Sequence, residues 1–483
     1  MKSTHRGSGV GFCILLALAQ LPAAWSADGP LVKVKRKPTD AEWTERAARP
    51  VGQIEGFRPA AVPLDRFGGR SDRTARASGF FRVEQVDGRW WLVDPDGGLF
   101  LSVGVNGVRL GSTPTVQAAL KERFGTPQRW AQVESVRLRE AGFNSTGAWS
   151  DVPLLRAAET PLAYCLEGVA ARAGDAGSAA PKGGFMRAFG RHLGVSRQGS
   201  GHALYPEDCI PVFHPDFAPF CDRHARPLAD WKDDPWLLGY FTDNELPMPK
   251  LDKYLALNSE DPAMGSSWRA AREWLDARRG PGAAPTDADR EAWIEFAYER
   301  YFAAVAGAIR RQDPQHLILG SRFYGAEKGQ AAAFRAAGRH CDVIAVNHYG
   351  VWEPKPADIE RWTHWSGRPV MITEWYAKGA DSGYTNHSGA GWLVPTQRDR
   401  GLFYQTFTGG LLRAKNCVGW HWFRYMDNDP ADTTADPSNV DSNKGVVTIR
   451  FEPYDPLLDA MRELNRTVYR LIDYLDSTGQ TPR

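Results

Sequence analysis

Past residue 98 the chain settles into a rhythm of a short apolar run, a polar loop, and a stretch whose apolar residues return every three or four positions. The apolar runs are Leu99–Val105, Gly142–Thr146, Leu162–Leu166, Leu237–Thr242, Leu317–Ser321, Val343–Asn347, Val370–Thr373 and Val418–Phe423. They are short and mostly uninterrupted, as parallel strands covered on both faces are. The helical spacing falls between them at Arg129–Glu140, at Asp287–Arg311 behind a cap at Thr286, at Gln330–Gly338 and at Arg398–Ala414. A closing helix is predicted over Leu457–Leu475, where Leu458, Met461, Leu464, Val468 and Leu471 share a face. Eight strands separated mostly by helices predict the α/β class, as a (β/α)8 TIM barrel.

Ahead of the rhythm, "GFFRVEQVDGRWWLVDPDGGLFLSVGVNG" holds three strand-like runs parted by the turn sequences "VDGR" and "DPDGG", so a β-hairpin leads into the barrel. Residues 28–78 are polar and weakly patterned, an N-terminal arm or small cap. The first 27 read as a secretory signal peptide: Lys2 and Arg6, an apolar stretch from Val10 to Leu21, then small residues. The division is therefore signal peptide 1–27, arm 28–78, catalytic barrel with its entry hairpin 79–476, and tail 477–483. Two excursions, from Glu167 to about Asp230 and from Met248 to Arg279, read as loops that shape a cleft.

Composition narrows the partners. With 42% hydrophobic and 24% charged residues in 483, the chain has ample material for a core. The net charge is +2 and the one basic run is "KVKRK" at 33–37, which argues against nucleic acid. No stretch after the leader is long and apolar enough for a membrane span, so the expected location is periplasmic or extracellular. The 18 Trp point to sugar, because planar aromatic faces stack on sugar rings, although most of them serve a core. Five cysteines follow the leader; Cys209 and Cys221 lie in one loop-like stretch and are candidates for a disulfide, and the others read as packing residues.

Barrel active sites gather where the strands end. Two of those ends carry Glu at the lip: "YFTDNEL" supplies Glu245 after the fourth strand and "ITEWYAKG" supplies Glu374 after the seventh. Two carboxyls across a pocket are what retaining glycoside hydrolysis needs, one donating a proton and one attacking the anomeric carbon. In that scheme Glu245 holds a proton and Glu374 stays ionised with the help of donors such as Tyr349. Asn244 is placed to bond a sugar hydroxyl. Trp420 and Trp422 share a face of the eighth strand and are candidates for the sugar floor, while Trp375 points away by alternation. His348, His421 and Asn106, at neighbouring lips, complete the candidate binding residues. This chemistry needs no metal and no cofactor, and "DNDPAD" at 427–432 lacks the spacing of a calcium loop.

With these motifs the chain resembles clan A of the glycoside hydrolases, whose members carry an Asn-Glu acid/base at strand four, a Glu nucleophile at strand seven and a Tyr at strand six. Asn244, Glu245, Glu374 and Tyr349 match. Within the clan, residues 79–470 are similar to family 50, the β-agarases, through "WWLVDPDGGLFLSVGVNGV", "WLLGYFTDNELP", "ITEWYAKGADSG", "GAGWLVPTQRDRGLFYQ" and "VGWHWFRYMDND". The resemblance implies a retaining enzyme on β-linked galactosyl units of agarose or neoagaro-oligosaccharides. The chain departs from the family in having only some fifty residues where members commonly carry a carbohydrate-binding-like domain. The alternatives are a clan A hydrolase of another β-glycan, a β-glucan or mannan, and a barrel that binds glycan without cutting it.

Overall fold

The computed structural model describes residues 29–168, 183–196, 204–432, 436 and 440–478. The expected signal peptide and nearly all of the tail lie outside them. Eight parallel strands form one sheet: Ser102–Val105, Ser145–Thr146, Ala163–Glu167, Leu237–Phe241, Leu317–Gly320, Ile344–Asn347, Val370–Glu374 and Cys417–Trp422. Each pairs with the next in the chain, the eighth returns to the first, and a parallel bridge from Phe323 to Val346 links the fifth to the sixth. The barrel is therefore ringed. The fourth, seventh and eighth strands are buried at every residue, which is why they read as apolar runs with no alternation. Close approach demands glycine in places: a Cβ on Gly419 would lie 2.5 Å from the carbonyl oxygen of Ser102 on the first strand.

The helices take their ends from local chemistry. Asp287–Gln312 and Gln397–Arg413 each begin with a reciprocal capping box, Thr286 with Asp289 and Thr396 with Asp399. The expected last helix is instead two, Asp455–Asn465 and Val468–Ser477. At the break, the Asn465 amide is drawn to the barrel, donating to the Ala141 carbonyl and accepting from the Tyr404 hydroxyl.

The entry sheet closes the end of the barrel where the strands begin, Trp90 giving its N–H to the Lys415 carbonyl just ahead of the eighth strand. Arg70–Thr74, Gly98–Phe100, Arg89–Val93 and Arg82–Val86 make a four-stranded antiparallel sheet in that order. The hairpin turn is Asp87-Gly88, both with positive φ (52° and 75°), the turn that matches strand twist. The single run expected over Leu99–Val105 is two strands: Leu99 pairs with Val93 in the entry sheet, and Ser102 begins the barrel. Leu101, between them, gives its N–H to the Tyr469 hydroxyl. Within the arm, Leu31–Val34 and Thr44–Ala47 pair antiparallel, and Trp352 donates its indole N–H to the Ala47 carbonyl. Cys209 and Cys221 are both buried and unbonded, as are the other described cysteines, so no staple forms.

Beneath the entry sheet two carboxyls share one site. Asp65 takes the N–H groups of Phe67, Gly68 and Gly69 on one oxygen, and Asp94 takes those of Asp96 and Gly98. The other oxygen of each is buried. Burial, and then the hydrogen bond and charge of Asp65, raise the Asp94 carboxyl to about 8. A carboxyl raised on folding binds its proton more tightly in the native state, so its contribution is present below the unfolded value near 4 and is lost as pH rises toward 8. Asp94→Asn keeps the acceptor and supplies a permanent donor to Asp65. Urea titrations from pH 4 to 9 are expected to show stability falling across that window in the parent and a flatter profile in the variant; parallel profiles would refute the shared proton.

Candidate active site

At the carboxyl ends of the strands lies a cleft of about 780 Å³ whose lining includes Asn244, Glu245, Tyr349 and Glu374. The chain leaves the fourth strand through Thr242 and Asp243 and reaches Glu245 with φ at 53°, in the left-handed region. That conformation costs a non-glycine residue roughly 1–3 kcal/mol and persists only where neighbours impose it. Here the Glu245 N–H bonds the Ser321 carbonyl at 3.1 Å. Asp243, just before, is buried and accepts from the N–H groups of Met186 and Arg187 and from the Tyr301 hydroxyl at 2.6 Å. The lip is thereby bolted to the helix Phe185–His192 that follows the third strand.

Glu374 closes the seventh strand and lies in register with Asn347 of the sixth. Tyr349 donates to one Glu374 oxygen at 2.6 Å, and an Arg322 nitrogen stands 3.0 Å from the other. Asn347 serves the opposite carboxylate, its amide donating to Glu245 at 2.9 Å and to the Asn244 side-chain oxygen at 3.1 Å. Thr373 fixes that amide by donating to its oxygen at 2.9 Å. One asparagine on the sixth strand thus sits beside Glu374 and bonds Glu245.

Arg322 and Trp149 complete the group, and sequence reasoning passed over both. Arg322 is fully buried after the fifth strand, bonds the Thr373 carbonyl at 2.9 Å, and lies 4.3 Å from the Trp149 ring centre. Trp149 lines the cleft with its ring edge-on to Phe423. Arg322 and Trp149 also have positive φ, 56° and 61°. One member of the carboxylate pair, Glu245, and two residues beside the pair are therefore left-handed. Their position in "SRFYG" and "NSTGAWS", at strand ends already identified, was the available signal.

Of the other candidates, Asn244 and Tyr349 face the cleft. Trp420 and Trp422 do not form its floor: they point outward from the barrel, their indole N–H groups bonding the Tyr404 hydroxyl and the Lys444 carbonyl at 2.9 Å each. Trp375 points outward too, stacked on Phe407 at 4.0 Å. Alternation puts His421 inside the barrel, where its ring bonds Ser102 at 2.9 Å beneath the cleft. Asn106 is also buried, donating to the Thr373 carbonyl at 2.6 Å. The free Asn106 oxygen and the free His421 Nδ1 face bare backbone at Gly147, where a Cβ would sit 2.2 and 2.6 Å from them. His348 lies behind the wall against Trp362 and Phe407. Burial pushes both imidazoles down to about 3, so they are neutral at ordinary pH. The aromatic surface of the cleft comes instead from Trp149, Tyr324, Tyr376 and Phe423.

Comparison with known proteins agrees with this geometry. No family model matches the chain. Its sequence is 24% identical over 513 residues to β-agarase B of Vibrio sp. (strain JT0107), covering 84% of this chain and 50% of that protein. It is 26% identical over 496 residues to β-agarase A of the same strain, covering 82% and 46%. The chain thus spans about half the length of the curated relatives it matches. Its fold superposes on the crystal structure of BpGH50 with a TM-score of 0.79 at 27% identity, covering 94% of this chain and 99% of that one. The chain is similar to the family 50 β-agarases.

In this β-agarase-like site the two carboxylates differ in their surroundings. Burial raises the Glu374 carboxyl to about 7; Arg322 and the Tyr349 hydrogen bond pull it down, and the charge of Glu245 pushes it up. The donors expected to hold Glu374 low therefore only offset part of its desolvation. Following ¹³C-labelled glutamate carboxyls by NMR, we expect the Glu374 midpoint near 7 and a rise on Tyr349→Phe, which deletes a donor to the charged form. A midpoint near 4.5, or no movement in the variant, would contradict this account.

Proposed function

We propose that the chain is a secreted retaining β-glycosidase that hydrolyses β-linked galactan, agarose or neoagaro-oligosaccharides, with Glu374 as nucleophile and Glu245 as acid/base. The observation that carries the reading is the pair of buried lip carboxylates facing one cleft from the fourth and seventh strands, each held by different donors. Similarity to proteins named β-agarase supports the substrate class. Export rests on the leader-like first 27 residues; among the described residues no helix is long and apolar enough to cross a membrane.

In this scheme a Glu374 oxygen attacks the anomeric carbon as its bond to the leaving oxygen breaks, and the Glu245 proton passes to that oxygen. Arg322 and Tyr349 hold the Glu374 carboxylate in place, and Tyr349 remains a donor as charge leaves it. Glu245, now a carboxylate, takes a proton from water, whose oxygen attacks the same carbon and releases Glu374. Asn347 holds the Glu245 side chain through both steps. Trp149 and Phe423 provide ring faces and edges for a sugar at the centre of the cleft.

Because the nucleophile must be ionised, kcat/KM is expected to fall on the acid side with an apparent pKa near 7, following Glu374. Reducing-end assays on agarose and neoagaro-oligosaccharides, with β-glucan and mannan as controls, test the class. Glu374→Ala is expected to abolish cleavage and Glu245→Gln to lower it by about 10²–10⁴-fold. NMR of the first-released anomer is expected to show retention. Cleavage of no substrate would refute the enzyme, undiminished cleavage by Glu374→Ala would refute the nucleophile, and an inverted anomer would refute double displacement.

A further inference from the structure

Besides the carboxylate pair, the cleft is lined by three guanidinium groups for which cleavage of a neutral galactan has no evident use, and by the carboxyls of Asp427, Asp429, Asp432 and Asp436. Arg109 follows the first strand, Arg187 sits on the helix after the third, and Arg424 follows the eighth; all three line the same cleft as the carboxylate pair. None of the three is held in an ion pair with a described carboxylate. The Arg424 Nε is buried and lacks a hydrogen-bond partner, and its guanidinium is pushed down to about 9 by burial and by the neighbouring charge of Arg109. Two like charges close enough to repel, one of them poorly solvated, define a place that an anion would relieve.

The acids nearby do not fill that role. The charges of Asp427 and Asp432 favour the Arg424 cation but offset only part of its burial, and the Asp427 oxygens are occupied by the N–H groups of Lys444 and Gly445, the Asn443 amide and the Tyr454 hydroxyl. Asp429 accepts from Thr113 and from the Ala431 N–H. Glu167 lies buried at the end of the third strand, where it feels Arg322, Arg187 and Arg109, yet burial raises its carboxyl and so weakens it as a counter-charge. Lys444 lies buried against the Tyr376 and Phe423 rings, and burial, then the charge of Arg424, push its ammonium well down.

We propose that Arg109, Arg187 and Arg424 form a subsite for an anionic substituent, a sulfate ester or a carboxylate, carried by a sugar unit beside the one that is cleaved. The inference rests on the glycosidase reading and narrows it to charged galactans. Guanidinium groups suit both anions, since their planar donors pair with two oxygens at once.

Binding and turnover test it separately. Calorimetry on Glu374→Gln, with sulfated galactan oligosaccharides, carboxylated ones and their neutral counterparts of equal length, reads affinity without cleavage. We expect at least about tenfold tighter binding for one anionic series, weakening as salt rises from 50 to 500 mM. In the active protein, Arg109→Ala, Arg187→Ala and Arg424→Met are each expected to bring the KM ratio of neutral to anionic substrate toward one. The sulfated and carboxylated arms identify the anion. Equal, salt-insensitive affinity for charged and neutral oligosaccharides would overturn the subsite while leaving the hydrolase standing. Tight anionic binding without any turnover would refute the hydrolase and leave the subsite standing.

Discussion

The candidate site depends on making it tolerable to bury Glu374. An isolated carboxylate withdrawn from water would take up a proton and be useless as a nucleophile, and one guanidinium, Arg322, opposes that. Arg322 is itself buried, so it leans on the Thr373 carbonyl and on the rings of Trp149 and Phe241. Its reach is set by the end of the fifth strand, and the strand ends are set by the ring of eight. The barrel is thus the device that brings a cation from one strand to an anion two strands away and keeps water from separating them.

Around that pair the protein is built as a set of fastenings. Asp243 bolts the fourth lip to the helix Phe185–His192, and Asn347 couples the fourth lip to the sixth strand. Beyond the seventh strand, Ala377–Gly379 pairs with Trp392–Val394, and the buried Lys378 ammonium gathers the carbonyls of Asn386, Ser388 and Gly389. That knot holds Gly389 and Ala390 at the edge of the cleft. That part of the cleft wall is therefore ordered by a charge that does not itself line the cleft.

Much of this was legible in the residues because parallel strands announce themselves. Runs such as Leu237–Phe241 and Val370–Glu374 are buried on both faces, so the strand count and the lips of Glu245 and Glu374 followed from hydrophobicity alone. Where a strand's two faces are both apolar, however, the pattern does not say which face is inside. That is why Trp420 and Trp422 were assigned to the cleft when His421 holds the inward face. Helices Pro114–Arg123 and Pro356–Ser366 were passed over although they begin with Pro in the first turn, and Gly367 ends the second. For Arg322 and Trp149 the sequence offers only their strand-end position, since nothing in it marks a residue forced to positive φ by its surroundings.

Trp149, Glu245 and Arg322 share that forced geometry, and it sets this barrel's fitness against its durability. Each left-handed residue holds back conformational energy that a glycine in the same place would release. At Arg322 that relief is outweighed, because its loss would strand the buried Glu374 carboxylate without its cation. The backbone strain at the candidate site is thus held in place by the same ion pair that the strain positions, and neither can be relaxed without the other.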